Sequence, residues 1–73
     1  MPPFQVTLVL ADGVQRDVGK PWHTLSEALN AKARHAVKLE RAGHTRFDCV
    51  VLVHDVDDPE RGYFSWDDVE AAA

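Results

Sequence analysis

Seventy-three residues, 45% of them apolar and 27% charged, suit one small globular domain over 1–73 and argue against disorder. A single cysteine excludes an internal disulfide framework, and a net charge of −4 at pH 7 argues against a general affinity for nucleic acid. No apolar run approaches the roughly 20 residues of a membrane span, and Met1-Pro2-Pro3 does not open a signal peptide, so a reducing, cytoplasmic setting is expected.

Residues 4–10 alternate, with Phe4, Val6, Leu8 and Leu10 on one face and Gln5, Thr7 and Val9 on the other. That is the period of a half-buried strand. Ala11-Asp12-Gly13 then offers a three-residue turn with glycine in the left-handed position. The resulting register sets Leu10 against Val14, Leu8 against Arg16 and Val6 against Val18, keeping Val14 and Val18 on the apolar side.

Thr24 and Glu27 have capping-box spacing and predict a helix over 24–42. Its apolar arc comprises Leu25, Ala28, Leu29, Ala33, Ala36, Val37 and Leu39, interrupted by Lys32 and Glu40. Lys32 can lay its stem along apolar surface and lift its charge into water. Lys38 and Arg41 favour the C-terminal end of the dipole, and Gly43 is the expected stop.

Residues 47–54 read as a strand apolar on both faces, hence central or with one face meeting a partner. A polar turn (57–62) and a short aromatic strand (63–66) follow. Residues 67–73 form an acidic, alanine-ended tail, expected either to make a helical turn or to fray. The expected fold is α+β, an antiparallel sheet of ββαββ order with one helix packed on one face. The open face would carry Gln5, Thr7, Val9, Val50, Leu52 and His54, an apolar mixture that suggests homodimerisation through Val9, Val50 and Leu52.

No catalytic residue emerges. Cys49 sits mid-strand on the core side, whereas reactive thiols need an electropositive and partly exposed setting. His23, His35, His44 and His54 lack ligand spacing. Asp55 and Asp57 resemble the start of a calcium loop, but Pro59, Glu60 and Trp66 occupy its fifth, sixth and twelfth positions. Gly13, Gly19, Gly43 and Gly62 are isolated and build no phosphate cradle. Neither a metal nor a cofactor is expected.

Charge is unevenly placed. Residues 1–54 hold seven Lys/Arg against five Asp/Glu, while residues 55–73 hold seven acids against Arg61 alone. Carboxylates steer a basic partner and aromatics anchor it. The expected partner-binding residues are therefore Asp55, Asp57, Asp58, Glu60, Tyr63, Trp66, Asp67 and Asp68, facing a basic protein surface that normally holds nucleic acid. The alternative is direct nucleic-acid binding through Arg34, Lys38 and Arg41, which line the outward helix face.

The hairpin, the capped helix with TLSEALNAKA (Thr24 to Ala33), the following strand and the acidic turn resemble small proteins of phages and mobile elements, among them type I anti-CRISPR inhibitors. That resemblance is architectural. It implies a non-catalytic inhibitor or adaptor that occludes a surface of a CRISPR effector complex in the host cytoplasm. The segment TLSEALNAKARHAV is also similar to the helix of HicB-type antitoxins, implying a regulatory role. Val18-Gly19-Lys20-Pro21-Trp22 stands where that family carries Phe-Pro-Asp and Gly-Cys.

Overall fold

The computed structural model describes residues 2–45 and 48–72. Strand β1 (Phe4–Leu10) is the centre of a three-stranded antiparallel sheet, flanked by β2 (Gln15–Asp17) and β3 (Cys49–Asp55) in the order β2-β1-β3. The hairpin register is the one the alternation predicts, with Leu8 opposite Arg16. The Leu10 amide donates to Val14 at 2.9 Å and the Val18 amide to Val6 at 2.9 Å. Gly13 turns the chain at φ +88°, a left-handed conformation that costs glycine little.

Helix α1 (Leu25–Arg41) lies across β1 and β3. Thr24 caps it: the Glu27 amide donates to Thr24 Oγ1 at 3.2 Å, and that hydroxyl donates to Glu27 Oε1 at 2.9 Å. The Glu27 carboxylate thus meets the Thr24 hydroxyl, where a standard capping box has it accept from the cap amide. At the other end the His44 amide donates to Leu39 and the Gly43 amide to Glu40, the paired bonds of a Schellman stop, with Gly43 at φ +92°.

The core forms between α1 and one sheet face. Val6, Ala28, Leu29, Ala31, Val51 and Val53 are buried, with Phe4, Leu8, Val18, Trp22, Leu25, Leu39, Phe64 and Val69 packed around them. Val14, expected on the apolar side, is exposed at the hairpin tip, beyond the reach of this cluster.

Three expectations about architecture are corrected. Strand β3 is an edge strand and β1 is central, so the apolarity of both β3 faces does not come from burial between two neighbouring strands. The edge is closed at its ends, where the Cys49 amide donates to Thr45 and Val53 accepts from the Phe64 amide. Such closure limits edge-to-edge pairing. Phe47, in the predicted strand, lies outside the described residues.

The fourth strand expected at 63–66 is reduced to one bridge, Tyr63 to His54. Helix α2 (Trp66–Ala72) starts there instead, so the order is ββαβα with a 3-10 turn at Pro59–Arg61. The local cause is a cap: the Ser65 amide donates to Asp68 Oδ2 at 2.7 Å and the Ser65 hydroxyl reaches the same oxygen at 3.4 Å. Of the two alternatives for the acidic tail, the helical one holds, and Val69 packs on the core. Among the described residues, no helix is long and apolar enough to cross a membrane.

The helix arc is also narrower than its sequence suggests. Ala31 is buried, whereas Ala33, Ala36 and Val37 are exposed. A sheet of three strands, one of them only three residues long, gives α1 too little surface to cover its whole apolar side.

Candidate functional site

The acidic-aromatic segment begins at the last residue of β3. Asp55 Oδ1 accepts the Asp57 amide at 2.8 Å, an Asx turn that leads the chain out of the sheet. Tyr63 then bridges back to His54, and the Phe64 amide bonds Val53 at 2.9 Å. Phe64 meets Phe4 edge to face, with ring centroids 5.5 Å apart. The two other aromatics stay outside, Tyr63 and Trp66 each being 50% exposed.

Arg61, the only base in this segment, is held internally. Its guanidinium carbon lies 4.7 Å from the Phe64 ring centre, and Nη2 donates to Asp68 Oδ1 at 2.8 Å. The Ser65 amide, foremost, and then Arg61 hold the Asp68 carboxyl below the usual carboxylate range. Asp68 is therefore committed to the cap and to Arg61, and the Asp55 side chain to its turn. Asp57, Asp58, Glu60 and Asp67 are exposed and remain available as a carboxylate set. The spacing of Ser65 and Asp68 is itself a cap signal, legible in the sequence but hidden by the aromatic run beside it.

The open sheet face carries the residues expected there, joined by two more. The register aligns Gln5 with His54, Thr7 with Leu52 and Val9 with Val50. Asp17 comes alongside Thr7, and Tyr63 alongside His54. The centre of this face is polar and closed. Thr7 is 2% exposed and donates to Asp17 Oδ1 at 3.3 Å; Gln5 is 5% exposed and donates to the Val6, Val18 and Gly19 carbonyls. His54 Nε2 is sealed from solvent without a hydrogen-bond partner, 4.0 Å from Asp17 Oδ1. Val50 is exposed at the margin, while Val9 and Leu52 are half-buried.

Arg34, Lys38 and Arg41 are all exposed on the outer face of α1, and none makes an ion pair among the described residues. Cys49 is buried as a free thiol, on the core side of β3. Among the described residues, no group of three or more His, Cys, Asp or Glu side chains is placed to hold a metal ion. The acidic-aromatic segment and the basic stripe thus lie on separate elements, the segment's α2 being in contact with α1. No family model, curated protein or solved structure matches the chain.

Proposed function

We propose that the protein is a non-catalytic inhibitor or adaptor that docks its acidic-aromatic segment onto a basic surface of another protein. One observation carries this reading: Tyr63 and Trp66 are half exposed, and they lie in a segment whose exposed carboxylates include Asp57, Asp58, Glu60 and Asp67. Exposed aromatics supply area for anchoring, and like-signed acids supply steering. A carboxylate array also suits a surface that normally binds phosphates. The resemblance to anti-CRISPR inhibitors supports a CRISPR effector complex as one such partner.

The test is calorimetric titration with an arginine-rich peptide as probe, over a salt series. Wild type should bind with an affinity that falls as salt rises. Replacing Asp57, Asp58 and Asp67 with lysine should abolish binding. Trp66→Ala should weaken it by about 2 kcal/mol, roughly 30-fold in Kd. Equal binding by wild type and the charge-reversed variant overturns the assignment.

The exposed stripe of Arg34, Lys38 and Arg41, without ion pairs among the described residues, supports a second reading, a nucleic-acid-binding regulator. Tight, salt-sensitive gel shifts of DNA or RNA, lost when these three are changed to alanine, would select it over the first.

A further inference from the structure

A groove of about 560 Å3 runs between the C-terminal half of α1 and β3, and Lys32, Ala36, Leu39, Glu40, Val51 and Leu52 help to line it. It adjoins the part of the apolar helix arc that the core leaves uncovered, where Ala33, Ala36 and Val37 are exposed. Lys32, Ala36 and Glu40 are spaced four residues apart and form one ridge along the helix. The ridge carries a cation at one end, an anion at the other and a small side chain between them. Neither charge has an ion-pair partner within the chain among the described residues.

Such a ridge is complementary to itself. A two-fold axis at Ala36 runs a second α1 antiparallel to the first and sets Lys32 against the second copy's Glu40, twice over. Alanine at the crossing point permits helix axes to approach to about 8–10 Å. Contact there also covers Ala33, Val37 and the groove margin, apolar surface otherwise left in water. The open sheet face suits a second copy less well. Its centre is already closed by the Gln5 and Thr7 hydrogen bonds, the latter to the Asp17 carboxylate.

We propose that this flank of α1 is a homodimer interface, with two helices crossing antiparallel at Ala36 and paired by Lys32 and Glu40 of opposite copies. The surface is distinct from the acidic-aromatic segment, so either assignment can fail without the other.

Sedimentation velocity over a concentration series tests it, with circular dichroism to show that each variant stays folded. Wild type should dimerise. Lys32→Glu alone and Glu40→Lys alone each bring like charges together twice and should weaken association at least about tenfold. Mixing those two variants makes every facing pair opposite in sign, so a heterodimer should form where neither variant self-associates. Ala36→Arg, at an exposed position, should give a folded monomer through steric exclusion. A wild type that stays monomeric at several hundred micromolar overturns the proposal. So does a dimer indifferent to all three substitutions, or a mixture that fails to associate.

Discussion

Among the described residues, Leu29 is the largest side chain that the fold closes over almost completely, at 1% exposure, and it shares a core cluster with Val6, Ala28, Val51 and Val53. Leu29→Ala should destabilise the protein by about 2–5 kcal/mol. The whole domain is expected to have only about 4–11 kcal/mol, at 0.05–0.15 per residue, so thermal unfolding should show that variant marginally folded. Asp68 acts on a different axis. Its carboxyl is held below the ordinary range in the folded chain, as is that of Asp48, which accepts the Thr45 amide first and the Thr45 hydroxyl second. A depressed carboxylate stabilises the fold fully above its unfolded pKa, about 3.9, and loses that contribution as pH falls through the folded value. Melting temperature should therefore drop between pH 5 and pH 3, and the drop should be shallower when Asp48 and Asp68 are both changed to asparagine.

The elements depend on their ends. Thr24→Ala removes the acceptor of the Glu27 amide and the partner of the Glu27 carboxylate, and should cost about 1 kcal/mol. Chemical denaturation would resolve that difference with an unchanged slope. At the hairpin, a side chain at Gly13 meets no atom within 4 Å, so only its positive φ opposes substitution. Gly13→Ala should accordingly cost about 1 kcal/mol, and Gly13→Asn less, because asparagine tolerates the left-handed region. Equal costs for the two variants would show that the turn does not hold this conformation in solution. Helix α2 relies on Ser65 and Asp68 in the same way. A seven-residue helix is too short to persist by itself, so its order rests on that cap, on the Arg61 pair and on Val69 packing.

At the scale of the molecule, acidic and basic residues are sorted onto different elements. The C-terminal segment is acidic, its one arginine is spent on Asp68, and the outer face of α1 is basic. Binding to a basic partner should weaken steeply with salt, whereas dimerisation through the apolar α1 flank should weaken only modestly. The strand and helix periods, the turn glycine and the Thr24 cap were all legible in the chain, because each is a local pattern that backbone geometry reads directly. Those signals determined the β1–β2 register, the span and direction of α1, and the inward side of Cys49, Val51 and Val53. Other outcomes needed the assembled sheet. Only the tertiary structure decided that β1 is central and that α1 leaves Ala33, Ala36 and Val37 outside. It also decided that Phe64 turns inward while Tyr63 and Trp66 do not, and that Asp68 pairs with Arg61 across seven residues of chain. The physical reason is common to all of them. A residue's type sets what it can bury or bond, but the area available for burial and the partners within reach are fixed by how few strands lie beneath one helix.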